Sequence, residues 1–99
     1  MSIQIFQQGE TVAIWAYFKD WDGEYVSPDQ GVKVTLTDPD GTDQVDAQAM
    51  SESDTGKFVR YYTTDSDSVL GWWNYKCIGQ DGTGASAKYS VDNGSFELK

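Results

Sequence analysis

The sequence predicts an all-β protein, built as a sandwich of two antiparallel sheets with seven to eight strands. Three observations lead to this fold class. Helix-forming residues are scarce, since the 99 residues include three Leu and four Glu, while twelve of the sixteen acidic residues are Asp, which favours turns. Fourteen residues are aromatic, which is typical of strands. Short runs of alternating apolar and polar residues are separated by Gly, Asp-Gly and Pro corners.

The first two predicted strands cover residues 3–6 and 12–18. The first is a short edge strand. In the second, alternate residues form one apolar face, which we expect to point into the core: Val12, Ile14, Ala16 and Phe18. The opposite face of this strand is aromatic rather than polar, because it carries Trp15 and Tyr17.

The next three predicted strands cover residues 32–37, 45–49 and 58–64. The alternation predicts inward faces of Val32, Val34 and Leu36 in the first of these strands and of Val45, Ala47 and Ala49 in the second. The third is rich in aromatic and β-branched residues, which favour strands.

The end of the chain predicts a strand at residues 72–78 and a closing segment at 85–98. In the first of these, Trp73, Tyr75 and Cys77 share one face. The closing segment is interrupted by Asp92-Asn93-Gly94, so we expect one strand that bends at residues 92–94.

Composition excludes several classes of function. Seven basic and sixteen acidic residues give a net charge of −9 and a pI near 4.1. Binding to nucleic acid requires clustered Lys and Arg, and this chain has one Arg, so we expect no nucleic-acid partner and, by the same argument, no anionic membrane partner. The absence of His excludes catalytic triads that contain His and metal sites with His ligands. The length fits a single domain at residues 1–99.

Cysteine use and the start of the sequence bear on the cellular compartment. Cys77 is the only cysteine, so an intramolecular disulfide is excluded, and its face predicts a buried, inert thiol. The first residues lack the basic and apolar regions of a signal peptide. We therefore expect a protein that stays in the cytoplasm where it is made or leaves it as part of a larger assembly.

Several motifs, taken in order, resemble those of bacterial immunoglobulin-like and macroglobulin-type domains. Residues 18–29, FKDWDGEYVSPD, have their strand, Asp-Gly turn and V-x-P pattern, and residues 32–41, VKVTLTDPDG, have their next strand and hairpin turn. Residues 55–58, TGKF, and 71–75, GWWNY, are similar to the two strands that follow. The resemblance implies an immunoglobulin-like sandwich. Short chains of this type are also similar to accessory proteins of tailed phages and prophages, which implies a role in a virion.

Large aromatic residues outnumber the places available in one small core. The candidate binding residues are therefore Trp15, Tyr17, Trp21, Tyr25 and Trp72. Trp and Tyr are enriched at protein interfaces. Such rings also stack on sugars, with Asp and Asn binding the hydroxyl groups, and they also fill and cap the open ends of sandwiches.

Acidic residues are concentrated in predicted turns. The clusters are Asp20, Asp22 and Glu24; Asp38, Asp40 and Asp43; and Asp65 and Asp67. Converging carboxylates bind calcium, but these spacings do not match an EF-hand, and Asp in turns ordinarily accepts hydrogen bonds from nearby backbone. We expect the turn-forming role. Calcium at the first two Asp clusters is the alternative, and no other metal or cofactor is expected.

The sequence predicts no catalytic residue, and we expect that the protein is not an enzyme. Its carboxylates lie in hydrophilic turns, where nothing raises their pKa, and a chain of this size has little room for a deep cleft. The first functional hypothesis is a structural or assembly protein that contacts protein partners, including copies of itself, in a larger particle such as a phage virion. The alternative is a carbohydrate-binding or adhesion module with a platform of Trp21, Tyr25 and Trp72.

Overall fold

The computed structural model describes residues 4–99. It contains eight strands, which are β1 Ile5–Phe6, β2 Thr11–Tyr17, β3 Val32–Thr37, β4 Asp43–Ala49, β5 Ser51–Asp54, β6 Lys57–Thr63, β7 Gly71–Asp81 and β8 Lys88–Leu98. A single 3₁₀ turn, Gly84–Ser86, lies between the last two strands. Ile3, at the start of the predicted edge strand, lies outside the described residues.

The strands form two sheets. One has five strands in the order β1-β8-β7-β3-β4, and the other has three in the order β2-β6-β5. The chain passes between the two sheets, and the resulting strand order is that of an immunoglobulin-like sandwich of eight strands. This confirms the predicted fold class. The expectation of antiparallel pairing holds for every strand pair except β1 and β8, which run parallel.

The core lies between the sheets and is lined by the faces that the alternation predicts. Val12, Ile14, Ala16 and Phe18 of β2 are buried, and so are Val32, Val34 and Leu36 of β3. Trp73 is the largest fully buried side chain, and its ring stacks on Phe96 with centroids 5.8 Å apart. Its indole N–H donates a hydrogen bond to the carbonyl of Val69 at 2.8 Å. The free thiol of Cys77 is buried in the same core, as predicted.

Two predicted strands differ from the observed ones. In β4, Val45 is buried but Ala47 and Ala49 are exposed, because register shifts in its pairing with β3 break the alternation. The closing segment is continuous through Gly94, in unbroken register with β7, so the predicted bend at residues 92–94 is wrong. A Cβ atom at Gly94 would overlap the Tyr75 ring on β7, so the glycine provides space for this ring instead of a bend.

Candidate interaction surface

Three of the five predicted binding residues lie together on the outer face of the three-stranded sheet. Trp15 and Tyr17 alternate with the buried residues of β2, and their rings are nearly parallel, with centroids 6.2 Å apart and an interplanar angle of 12°. The ring of Tyr25 lies 6.5 Å from that of Tyr17. Tyr61 of β6, which pairs with Ala13, is exposed on the same side. We call Trp15, Tyr17, Tyr25 and Tyr61 the aromatic face.

Tyr61 was missed as a candidate, although a signal for it was present. It stands in the predicted strand at residues 58–64, where period-two alternation places it on the face opposite Phe58 and Tyr62. Phe58 is buried, so this alternation directs Tyr61 outward.

The position of Tyr25 is set by the loop that follows β2. This loop folds back, because Val26 N–H donates to the Phe18 carbonyl at 3.0 Å and Lys19 pairs with Tyr25 in an isolated bridge. Two ammonium groups then lie over the Tyr25 ring, with Lys19 Nζ 4.8 Å and Lys57 Nζ 4.7 Å from its centroid. Cation–π attraction of this kind holds the ring in place and makes that end of the aromatic face cationic.

The other two predicted residues lie elsewhere. Trp21 is fully exposed at the tip of the turn after β2. Trp72 pairs with Glu97 and alternates with buried Trp73, so it lies on the outer face of the five-stranded sheet. The five residues therefore do not form one surface, and Trp21, Tyr25 and Trp72 do not form a single platform.

The aromatic face borders an open sheet edge. Phe18 N–H donates to the Gly56 carbonyl on the β6 side at 2.9 Å, so by the alternation of antiparallel pairing the odd-numbered residues of β2 direct their backbone groups away from β6. Tyr17 follows this pattern, since its N–H donates to Asp92 Oδ2 at 2.9 Å. Within the described chain no strand pairs with β2 on this side, where Thr11, Ala13 and Trp15 present their N–H and C=O groups.

The β2 edge differs from the other sheet edges. β2 has seven residues, no charged side chain and an unbroken register with β6. Of the other edge strands, β1 has two residues, β4 carries two register shifts, and β5 has four residues with a register shift. β4 and β5 also carry acidic side chains. Short length, irregularity and charge are the features that usually protect sheet edges against pairing. Only β2 combines length, regularity and lack of charge.

Acidic residues of the predicted clusters accept hydrogen bonds within their own turns. Asp38 Oδ1 accepts hydrogen bonds from the backbone N–H groups of Asp40 and Thr42, and Oδ2 accepts one from Gln44. These bonds, led by that from Gln44, lower the pKa of Asp38. Asp20 Oδ1 likewise accepts from two backbone N–H groups of its own turn. Among residues 4–99, no three acidic, His or Cys side chains are grouped to hold a metal ion, and calcium stays an untested alternative.

Cys77 has the chemistry of a core residue. Burial, with a smaller contribution from the charge of Asp92 on the paired strand, raises the pKa of its thiol to about 12. The thiolate, which is the nucleophilic form of cysteine, is therefore scarcely populated at neutral pH.

Comparison with known proteins supports the fold. No protein-family model matches the chain, and no curated protein does. The solved structure of a DUF4785 family protein from Legionella pneumophila is similar, with a TM-score of 0.67 and 20% sequence identity. The similarity covers 95% of this chain and 26% of that protein, so the chain spans about a quarter of its length. At this identity the similarity shows the fold alone. In the described part of the chain, no helix has the length and apolar character needed to span a membrane.

Proposed function

We propose that the protein is a non-catalytic interaction domain that binds an extended segment of a partner protein along β2. The observation that carries this proposal is the β2 edge, which is long, uncharged and regular and lies beside the aromatic face. A segment that adds to a sheet edge gains main-chain hydrogen bonds, and its alternate side chains contact the sheet face.

The two parts of the surface have different roles in this proposal. The free N–H and C=O groups of Thr11, Ala13 and Trp15 supply the hydrogen bonds that define the direction and register of the partner strand. The aromatic face supplies contact area, because Trp and Tyr commonly contribute most of the binding energy at protein interfaces. The net charge of −9 keeps unassembled copies soluble in spite of the open edge.

A tailed-phage or prophage virion, cytoplasmic before assembly, is the setting that we propose for this contact. Support for this setting comes from the resemblance of the sequence to small phage accessory proteins. A non-catalytic role is supported by the raised pKa of Cys77 and by the use of Asp20 and Asp38 in their turns.

A glycan is the other candidate partner, and the geometry favours it less. The ring of Tyr25 is already contacted by two lysines, and Trp72 lies on the other sheet. The same experiment distinguishes the two partner classes, because a protein partner is captured from the lysate whereas a glycan partner is detected on the array.

The test compares two matched edge variants of the three-stranded sheet. Ala13→Lys places a charge on the β2 edge, and Ser51→Lys places the same charge on the opposite edge, at β5. The tagged proteins are used to capture partners from phage-infected or lysogenic host lysate, and each is also applied to a glycan array. We expect wild type and Ser51→Lys to capture the same protein and Ala13→Lys to lose it. Equal capture by all three proteins, or glycan binding by the wild type, contradicts the proposal.

A further inference from the structure

A second surface lies on the outer face of the five-stranded sheet. A cavity of about 200 Å³ with a mainly apolar lining opens there. It is lined by Lys33, Thr35, Ala47, Ile78, Gln80 and Tyr89, among others. Lys33 and Thr35 alternate with the buried residues of β3, so the cavity faces solvent rather than the core. We call it the outer cavity.

One wall of the outer cavity is formed by an unusual piece of backbone. Val34 pairs with Gln48 and Leu36 with Val45, so Asp46 and Ala47 of β4 stand opposite a single residue of β3. This is a β-bulge. Within residues 4–99, Ala47 is the only non-glycine residue with positive φ, at 48°. A residue with a Cβ atom is sterically strained at positive φ, and strain of this kind is concentrated at functional sites.

Two lysines lie on the same side of the sheet as the outer cavity, where the bulge also places Asp46 and where Asp81 follows Gln80. Lys33 has Ala49 and Ile78 as its cross-strand neighbours, and neither carries a carboxylate. Lys76, further along β7, lies between Thr35 and Asn93, which are also uncharged. In a chain of net charge −9, this surface therefore offers two lysines beside an apolar cavity.

The turn after β2 has the complementary character. Trp21 is fully exposed at its tip, between Asp20 and Asp22, with Glu24 close by in the sequence. The turn is held by its own hydrogen bonds, since Asp20 Oδ1 accepts from Asp22 N–H at 2.9 Å and from Glu24 N–H at 3.0 Å. Asp20 N–H also donates to the Glu24 carbonyl at 2.9 Å. The indole is thus presented on a preorganised acidic turn, which reduces the entropy lost on binding.

We infer that Trp21 of one copy inserts into the outer cavity of a second copy, with the acidic turn facing Lys33 and Lys76. The charges and the apolar surfaces complement each other, and Trp is the residue most typical of such an anchor. Gln80 lines the outer cavity, and the next residue, Asp81, lines the same open surface depression as Trp21, so the two surfaces are close to each other on one molecule. This proximity favours a reciprocal dimer, in which each Trp21 occupies the cavity of the partner copy.

This inference is independent of the proposed function, because it uses neither the β2 edge nor the aromatic face. The inference requires that the association of two copies depends on Trp21 and Lys33. Association that depends on Ala13 would instead take place through the β2 edge.

The experiment measures the mass of the full chain by sedimentation velocity from micromolar to millimolar concentration. We expect wild type to form a dimer. We expect Trp21→Ala and Lys33→Glu each to weaken dimerisation by about 30-fold or more, the size typical of a lost hot spot. Lys99→Glu makes the same change in net charge away from the cavity, and Trp72→Ala removes another exposed indole, so both controls should dimerise as wild type does.

Mixing the two defective variants gives the decisive result. Trp21→Ala retains the outer cavity and Lys33→Glu retains Trp21, so an equimolar mixture should recover part of the association that each lacks alone. A wild type that stays monomeric at millimolar concentration overturns the inference. So does a mixture with no recovery, a loss with Lys99→Glu equal to that with Lys33→Glu, or dimerisation that is abolished by Ala13→Lys and retained by Trp21→Ala.

Discussion

The carboxylate of Asp92 in β8 accepts a hydrogen bond from the backbone N–H of Tyr17 in β2, with 2.9 Å between Oδ2 and N. This bond joins the two sheets along the side where β2 has no neighbouring strand. On the opposite side, Arg60 of β6 donates from Nη1 to the carbonyl of Ala49 in β4 at 3.0 Å. A side chain from one sheet therefore satisfies a backbone group of the other at each flank of the sandwich. At β2, the Asp92 bond also marks where the free edge ends.

Removing the Asp92 carboxylate should release the Tyr17 amide. We expect Asp92→Ala to lower the free energy of unfolding by about 1 kcal/mol, less than is usual for a bond to a charged group because the site is exposed. Amide exchange measured by NMR should accelerate at Tyr17. It should stay slow at Phe18, whose N–H is bonded to Gly56. Asp92→Asn keeps an acceptor oxygen, so its rate of amide exchange at Tyr17 should lie between those of wild type and Asp92→Ala. Unchanged exchange at Tyr17 in Asp92→Ala would show that the bond contributes nothing in solution.

The sequence predicted the faces of β2 and β3 because strand alternation depends on a residue's own neighbours. Val12, Ile14 and Ala16 are buried as that pattern requires. Alternation does not reveal which sheet a strand joins, so Trp15 and Trp72 were grouped as candidates although they lie on opposite sheets. Their separation follows from strand pairing across distant parts of the chain.

The remaining differences also arise from partner strands. β5, with the sequence SESD, was missed, because all four residues are exposed and the strand carries no apolar period. The bulge at Ala47 depends on how β4 pairs with β3 and has no local signal in the chain. Gly94 was interpreted as a bend, whereas it accommodates the Tyr75 ring from the strand beside it.

The contact between Gly94 and Tyr75 predicts a strong coupling. Gly94→Ala should lower the free energy of unfolding by about 1–3 kcal/mol, the usual cost of overpacking, since the added methyl group would overlap the ring. In a Tyr75→Ala background the same substitution should cost less than about 0.5 kcal/mol, because the space is then free. Urea denaturation of the four proteins in this double-mutant cycle measures the coupling. An equal cost in both backgrounds would mean that the ring is not what excludes a side chain at residue 94.

The four tryptophans should respond differently to quenchers. In a single copy of the chain Trp21 is fully exposed and Trp73 is 1% exposed, so at concentrations too low for dimers acrylamide should quench Trp21 and spare Trp73. Iodide should quench Trp21 less than acrylamide does, because Asp20 and Asp22 repel the anion, and added salt should narrow the difference. Trp21→Phe should remove most of the difference between quenching by acrylamide and quenching by iodide, and Trp73→Phe should leave that difference unchanged. Identical quenching of wild type and Trp21→Phe would contradict the position of the turn.

The buried thiol predicts a loss of stability in alkali. The pKa of Cys77 is raised from 9.0 to about 12 by burial, so above pH 9 the unfolded chain releases a proton that the folded chain retains. Its contribution to stability is complete below pH 9 and falls as the pH rises toward 12, by at most about 1.4 kcal/mol per pH unit. Tyr62 and Tyr75, whose pKa values are also raised by burial, add a further loss of stability above pH 10.

Cys77→Ala separates the thiol from the tyrosines. Urea denaturation at a series of pH values should show a decline for wild type that begins near pH 9, whereas the variant should hold its stability until the tyrosines of the unfolded chain begin to ionise at their ordinary pKa of 10.0. The variant should be less stable than wild type at pH 7, because it leaves a small cavity in the core, and this difference in stability should shrink as the pH rises. A difference that is constant from pH 7 to pH 10 would show that the thiol ionises equally easily in the folded and unfolded chains.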